Sequence, residues 1–174
     1  PFGYGLSYTS FTQEISDFKD EGNTVTVDVT VTNTGDVAGK DVVEVYYKPP
    51  YTNGGIEKSS ANLIEFAKTD LLQPGESQTV TVTFSIEDMA SYDENNAKAY
   101  VLEKGDYVIS INSDSHTVLD QKIYTADADV VYEGENKRAS DDTAATNVFE
   151  DAKGDVTYLS RADHFANYEE ATAA

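Results

Sequence analysis

Pairs of neighbouring acidic residues are the side chains of this sequence most able to do chemistry. The pairs are Asp93 with Glu94, Asp127 with Asp129, Asp141 with Asp142, Glu150 with Asp151, and Glu169 with Glu170. Two carboxyl groups can act as a general acid and as a base or nucleophile when an apolar surrounding raises the pKa of one of them. Each of these pairs lies in a predicted turn or in the acidic C-terminal part of the chain, where a solvated charge is the ordinary explanation. The sequence therefore assigns no catalytic residue.

Metal and nucleophile chemistry have even less support. The chain has no cysteine, which excludes disulfides, thiolate catalysis and Cys-ligated zinc. The two histidines, His116 and His164, lie far apart in the sequence, and His116 is expected in a solvated turn. Short acidic runs at 93–96 and 127–129 offer oxygen ligands for calcium but lack the spaced pattern and the glycine of an EF-hand loop. We therefore assign no metal site and no cofactor.

Charge and hydropathy exclude two classes of partner. The 174 residues include 12 Lys and Arg against 32 Asp and Glu, which gives a formal net charge of −20. Nucleic-acid binding needs clustered Lys and Arg opposite the phosphates, and docking on anionic lipid needs the same charge. No apolar run approaches the ~18 residues of a membrane span. The sequence therefore predicts that neither nucleic acid nor membrane is a partner.

Aromatic residues at the start of the chain are better candidates for binding. An apolar-aromatic cluster occupies alternate positions of the first eight residues, namely Phe2, Tyr4, Leu6 and Tyr8. Tyrosine suits an interface because its ring is apolar and its hydroxyl is polar. The cluster either covers the end of this chain's own fold or faces a neighbouring domain, and both interpretations stay open.

A second aromatic group surrounds the predicted loop 49–60. Tyr46, Tyr47 and Tyr51 flank its two prolines, and Asn53-Gly54-Gly55 follows. Since the chain has no tryptophan, these tyrosines are the available stacking surface for a sugar. The alternative is that Tyr47 belongs to the core while Tyr46 and Tyr51 pack against other domains.

Short strands are the elements that must position these residues. Residues 24–32 alternate Val with Thr or Asp, and residues 79–84 alternate Thr with Val or Phe, so each strand buries one face. Turn residues such as Gln73-Pro74-Gly75-Glu76 separate the strands. Eight strands are predicted, at 11–18, 24–32, 41–47, 62–72, 79–84, 99–103, 107–111 and 117–124, and the segments 99–103 and 107–111 are predicted to pair as a hairpin. The pattern is typical of an all-β, antiparallel two-sheet sandwich.

Composition divides the chain near residues 126–129. Residues 1–126 hold nearly all of the β-branched alternation, whereas residues 127–174 hold both arginines and few hydrophobic residues. We predict a β-sandwich at 1–126 and an acidic linker at 127–174, extended through Thr146 and ending in a short helix at 165–174. The chain begins with Pro1 and shows no signal-peptide pattern. We therefore expect a segment of a longer protein, whose compartment is unknown.

Ordered motifs give a more specific indication. They are Pro1–Phe11, Val29–Lys40, Val45–Pro50, Leu71–Ser77, Tyr92–Glu94 and Glu103–Tyr107. In this order they resemble the fibronectin type III-like domain of family 3 glycoside hydrolases, the β-glucosidase family. The resemblance implies an immunoglobulin-like (fibronectin type III-like) antiparallel two-sheet sandwich with a C-terminal extended tail. In that family the nucleophile is an aspartate on the barrel, and the acid/base is carried by the α/β sandwich domain. Neither segment is matched here, so the resemblance implies no catalytic residue in this chain.

The tail carries a second resemblance. Gly154–Asp163 is similar to the connector of a subgroup with rearranged domain order. In that subgroup an α/β sandwich domain comes first, this module lies in the middle, and the catalytic (β/α)8 barrel follows. The resemblance implies that residues 127–174 connect this module to the following domain of a parent enzyme.

Three functions are compatible with the sequence. The first is a non-catalytic domain that braces the sister catalytic domains of a retaining β-glucosidase-type enzyme. In this first case the loop 49–60 also shapes the active-site mouth, with an oligosaccharide bound at the domain interface. The second is a free-standing carbohydrate-binding module, and the third is an adhesion or scaffold domain. The N-terminal cluster, Tyr46 and Tyr51 are the predicted binding residues in the first two cases.

Overall fold

The computed structural model describes residues 1–173, which form ten strands and one short α-helix. The strands are β1 (Phe11–Asp20), β2 (Thr24–Asn33), β3 (Val42–Lys48), β4 (Asn62–Lys68), β5 (Ser77–Ser85), β6 (Ser91–Asp93), β7 (Ala99–Leu102), β8 (Gly105–Asp114), β9 (Thr117–Ala126) and β10 (Val130–Tyr132). The helix is α1 (Tyr168–Ala171), and short 3-10 helices lie at Ile86–Met89, Glu150–Ala152 and Ala162–His164.

Alternating valines build the first sheet. In this sheet β2 pairs antiparallel with β1 on one side and with β5 on the other. The four valines of β2 are fully buried while its threonines are only half-buried, and β5 buries Val80, Val82 and Phe84 in the same way. Since side chains alternate between the faces of a strand, each strand buries one face, as the sequence predicts.

The second sheet supplies the opposite side of the core. Its four strands lie in the order β4, β3, β8, β9. Its inward side chains include Val43, Val45, Tyr107, Ile109 and Ile111, none of which is more than 1% exposed. The predicted all-β, two-sheet sandwich is therefore confirmed.

A third, small sheet has the strand order β10, β7, β6. The predicted hairpin between 99–103 and 107–111 is wrong, because β7 pairs with β6 and β10 whereas β8 pairs with β3 and β9. The chain changes sheet at Gly105, whose φ of +140° is one that residues with a Cβ rarely adopt. Residues 130–132, predicted to lie in an extended linker, form a strand because the edge of β7 offers them hydrogen-bonding partners.

The described chain folds as two compact units. Unit 1 consists of Pro1–Lys48, Ser60–Met89 and Asp106–Thr125. Unit 2 consists of Pro49–Ser59, Ala90–Gly105 and the residues from Ala126 onward. Most of the predicted tail therefore packs within unit 2 rather than standing alone, and the predicted helix at 165–174 is reduced to the single turn of α1. The domain boundary near residue 126 stays a prediction.

Candidate interaction surfaces

The N-terminal segment, residues 1–10, contacts the second sheet through Phe2 and Gly3. The amide of Ser115 donates to the Phe2 carbonyl oxygen at 2.8 Å. Gly3 has a φ of +81° and lies against Glu44 of β3, where a Cβ would come within 2.9 Å of the carboxyl carbon. The positive φ favours glycine at this position, and a Cβ would also make the Glu44 carboxylate move.

A buried asparagine fastens this segment to two turns of unit 1. The Asn33 amide donates to the carbonyl oxygens of Val37 and Leu72 at 2.8 and 2.9 Å. Its Oδ1 accepts from the Thr9 hydroxyl at 2.8 Å and from the Gly35 N–H at 3.1 Å. Asn33 is completely buried, so all four hydrogen bonds replace water. Asn33 lies one residue beyond the predicted strand 24–32, yet it continues the inward phase of the β2 valines and is the one polar residue in that phase.

Tyr46 is buried, contrary to the prediction that it offers a surface to a ligand. It projects from the same face of β3 as Glu44 and is only 2% exposed. Its hydroxyl donates to Glu44 Oε2 at 2.8 Å. Burial, together with this hydrogen bond and the charge of Glu44, raises the pKa of Tyr46 to about 12. A sugar arriving from solvent has no access to this ring, and the neighbouring Tyr47 is also part of the core, as the alternative interpretation predicts.

The predicted N-terminal cluster is exposed. Its members expose 68%, 61%, 90% and 101% of their surface, in the order Phe2, Tyr4, Leu6 and Tyr8. We call these four residues, three of which are aromatic, the aromatic row. Next to Phe2 an apolar groove of about 490 Å³ runs along β4, lined by Val42, Leu63, Phe66 and Ala67 among others. Of the row, only Phe2 lines this groove. Exposed apolar surface of this kind marks interaction sites, which favours the interpretation that the row faces a neighbour.

Tyr51 contacts the C-terminal part of unit 2. The guanidinium of Arg161 lies over its ring, 4.1 Å from the centroid. Its hydroxyl donates to Glu57 Oε2 at 3.2 Å. Glu57 also accepts from the Ser160 hydroxyl at 2.6 Å and from the Arg161 N–H at 3.1 Å. Burial raises the pKa of Glu57, but these hydrogen bonds outweigh it and hold the pKa below its ordinary value. One face of the Tyr51 ring is thus already covered.

A buried lysine, Lys58, holds the loop that carries Tyr51. Lys58 is 6% exposed, its ammonium is paired with Glu103, and it donates to the Pro50 carbonyl oxygen at 2.8 Å. The Lys58 carbonyl oxygen in turn accepts from Arg161 Nη1 at 3.0 Å. A lysine so deep in the protein requires such partners because burial of an unpaired charge is strongly unfavourable.

Two of the acidic pairs are used to hold turns. Burial raises the pKa of Asp93, but the hydrogen bonds from the N–H groups of Asn96, Ala97 and Asn95 lower it by a larger amount. The pKa of Asp93 is therefore below its ordinary value. The pKa of Asp141 is lowered chiefly by its hydrogen bonds from Arg138. Such carboxylates hold their charge firmly, which is the opposite of what a general acid requires.

Two further findings concern metal ions and membranes. Within residues 1–173, no three His, Cys, Asp or Glu side chains come together as a possible metal site. No helix in that range is both long and apolar enough to cross a membrane.

Comparison with known proteins identifies the central part of the chain. Residues 41–115 match the fibronectin type III-like domain family. β-Glucosidase A of Butyrivibrio fibrisolvens is 44% identical over 127 residues, which cover 62% of this chain and 15% of that protein. A β-glucosidase of Ruminococcus albus is 36% identical over 174 residues, covering 95% of this chain and 18% of that protein.

A solved structure agrees with these relatives. β-Glucosidase 3B of Thermotoga neapolitana, in complex with α-D-glucose, superposes with a TM-score of 0.69 and 34% identity. The match covers 76% of this chain and 18% of that one. The chain thus spans less than a fifth of the length of each of these three proteins. Residues 41–115 thus carry a fibronectin type III-like domain, and the chain is homologous to a segment of β-glucosidases of glycoside hydrolase family 3.

Proposed function

We propose that this chain is a non-catalytic accessory domain of a β-glucosidase-type enzyme and that the aromatic row packs against a sister domain of that enzyme. The observation that carries the proposal is the exposure of the row beside an apolar groove, in a chain homologous to short segments of β-glucosidases. Interfaces between the domains of one chain bury apolar and aromatic side chains of this kind.

The ionisation of the carboxyl groups supports a non-catalytic role. Glycoside hydrolysis with retention needs two carboxyl groups ~5–5.5 Å apart, one of them with a raised pKa. Five carboxyl groups have a pKa below the ordinary value, namely Asp17, Glu57, Asp93, Asp114 and Asp141, which is the opposite of the shift that a general acid needs. No general acid is assigned in this chain for that reason.

The reaction of the parent enzyme is inferred from the relatives. We propose hydrolysis of terminal β-linked glucose or a similar sugar, with the residues after Ala126 leading to the following domain. The alignment with the Ruminococcus albus protein supports the second point because it covers 95% of this chain and so includes most of the tail.

A chimera tests the accessory role. The segment of the Ruminococcus albus β-glucosidase that aligns with this chain is replaced by the 174-residue chain, and kcat/KM for an aryl β-glucoside and Tm are measured. We expect Leu6→Ser to lower both in the chimera and to leave the stability of the isolated chain unchanged, since Leu6 is 90% exposed. Ile123→Ser, on β9 and 58% exposed, is the matched control. Equal behaviour of the two variants, or hydrolysis by the isolated chain, would overturn the proposal.

The alternative of a free-standing carbohydrate-binding module has weaker support. Tyr46 is buried and Arg161 covers one face of Tyr51, so few of the predicted stacking surfaces are available. Calorimetric titration of the isolated chain with soluble β-glucan separates the two functions. Flat heats agree with the accessory role, and saturable binding favours the module.

A further inference from the structure

We propose that Arg161 and Tyr51 form a latch that holds residues 157–165 against the loop 49–59, and that closure of this latch sets the conformation of both segments. Both segments belong to unit 2. The inference does not depend on the proposed accessory role, because every contact that supports it lies within this chain.

Arg161 binds the loop in three ways. Its guanidinium stacks on the Tyr51 ring, its Nη1 donates to the Lys58 carbonyl oxygen, and its backbone N–H donates to Glu57. Stacking and a hydrogen bond from the same group use the planar shape of the guanidinium, which lysine cannot reproduce. These contacts reach both ends of the loop, so Arg161 connects Tyr51 with Lys58.

Neighbouring polar groups complete the latch. The Ser160 hydroxyl donates to Glu57 at 2.6 Å, and the Asn53 amide donates to Asp163 Oδ1 at 2.7 Å. Within the loop the Gly55 N–H donates to the Thr52 carbonyl oxygen at 2.9 Å. The amide of Gly55 therefore reports whether the loop keeps its turn.

The chain immediately after Arg161 has an unusual backbone. Asp163, His164 and Phe165 have φ values of +49°, +60° and +61°, a left-handed conformation that side chains with a Cβ rarely adopt. Such a run persists only where surrounding contacts hold it. Since the latch contacts involve residues 160, 161 and 163, we infer that the latch maintains this turn and that the turn relaxes when the latch opens.

The second arginine of the chain provides a matched control. Arg138 lies over the Tyr100 ring, 3.6 Å from its centroid, and is paired with Asp141 at 2.9 Å. It has the same chemistry as Arg161 but contacts β7 rather than the loop 49–59. Substitution of Arg138 removes a stacked arginine from unit 2 without touching the latch.

Amide hydrogen exchange of the 174-residue chain, followed by NMR, tests the latch. The Ala162 N–H donates to the Ser160 hydroxyl at 3.1 Å and so reports on the other side of the latch. In Arg161→Ala we expect exchange at Gly55 and Ala162 to accelerate at least tenfold, since a stacked cation and a charged hydrogen bond are lost together. Arg161→Lys should show an intermediate acceleration. Exchange at Val27 of β2 should not change in any variant, and Arg138→Ala should leave Gly55 and Ala162 unchanged.

The same data define the results that would overturn the latch. The first is an exchange rate at Gly55 and Ala162 in Arg161→Ala that stays within twofold of the original chain. The second is an equal acceleration in Arg138→Ala. The third is an acceleration that extends to Val27 and so reports global unfolding. A double variant, Tyr51→Leu with Arg161→Ala, adds a second check. We expect its acceleration to be smaller than the product of the two single-variant accelerations, because both substitutions remove the same stacking contact, and fully multiplicative accelerations would contradict the latch.

Discussion

Replacement of Asn33 by alanine is the most informative test of how unit 1 is held together. The substitution removes four side-chain hydrogen bonds, two donated to carbonyl oxygens and two accepted from Thr9 and Gly35. These bonds join the N-terminal segment to the turns after β2 and before β5. Asn33 is therefore expected to stabilise parts of unit 1 that are far apart in the sequence.

The size of the effect depends on which hydrogen bonds the partners of Asn33 keep after the substitution. The Leu72 carbonyl oxygen still accepts from the Gly39 N–H at 3.1 Å, and the Gly35 N–H still donates to the Ser10 carbonyl oxygen at 3.2 Å. The Val37 carbonyl oxygen is on a half-exposed residue, where water can replace the bond. Since a hydrogen bond contributes about 1 kcal/mol net, we expect Asn33→Ala to lower the free energy of unfolding by about 3 kcal/mol.

Two comparison variants sharpen this test. Thr9→Val removes one of the four bonds and should lower the free energy of unfolding by about 1 kcal/mol. Asn33→Asp keeps the shape but places a carboxylate beside two carbonyl oxygens in a fully buried site, so it should destabilise more than alanine at pH 7. Because burial raises the pKa of such an aspartate, the stability of this variant should fall further as the pH rises above about 4.

Urea unfolding followed by far-UV circular dichroism measures these changes. The midpoint should shift at a constant m value, so that the difference reports stability and not a change in the surface exposed. A loss below about 1 kcal/mol for Asn33→Ala, or an Asn33→Asp variant no less stable than Asn33→Ala, would refute the reasoning that the four bonds act together.

Three further predictions concern Gly3, Tyr46 and Glu57. Gly3→Ala should lower the free energy of unfolding by about 1 kcal/mol, because its φ is positive and its Cβ would crowd the Glu44 carboxylate; the urea midpoint measures this, and an unchanged midpoint would argue against it. In a spectrophotometric titration at alkaline pH, the original chain should show an ionisation near pH 12 that Tyr46→Phe lacks; an ordinary value for every tyrosine would contradict the buried hydrogen bond. The pKa of Glu57 lies below its ordinary 4.5 in the folded chain, so its hydrogen bonds stabilise the latch above that pH and are lost as the pH falls through the folded pKa. Exchange at Gly55, corrected for its intrinsic pH dependence, should therefore accelerate at acid pH in the original chain and not in Glu57→Gln.

The strands of unit 1 show how far the sequence alone reaches. Period-two alternation in β2 and β5 predicted both strands and their buried faces, because the pleat of a strand imposes this periodicity wherever it occurs. The type II turn pattern at Pro74–Gly75 is likewise local, and Gly75 has the expected positive φ of +80°. The resemblance to the family rests on several motifs that occur together and in order, since a single motif such as Pro74-Gly75-Glu76 is not specific.

Pairing and burial were decided by the tertiary structure. The three-residue strands β6 and β10 are too short to show a periodicity, so their pairing with β7 left no sequence signal. Local pattern also does not give the partner of a strand. The turn at Gly105 predicts a hairpin, whereas the strands on either side of it lie in different sheets.

The binding residues divide in the same way. Their aromatic character and their position beside turns are properties of the sequence, and these alone nominated the aromatic row, Tyr46 and Tyr51. Whether each ring is exposed depends on residues distant in the chain: the row projects outward, Tyr46 is buried on β3, and Arg161 covers Tyr51 from 110 positions away. Local pattern determined the strands and the candidates, and only the folded chain decided which surfaces remain available, because burial is a property of contacts between segments that the sequence does not place side by side.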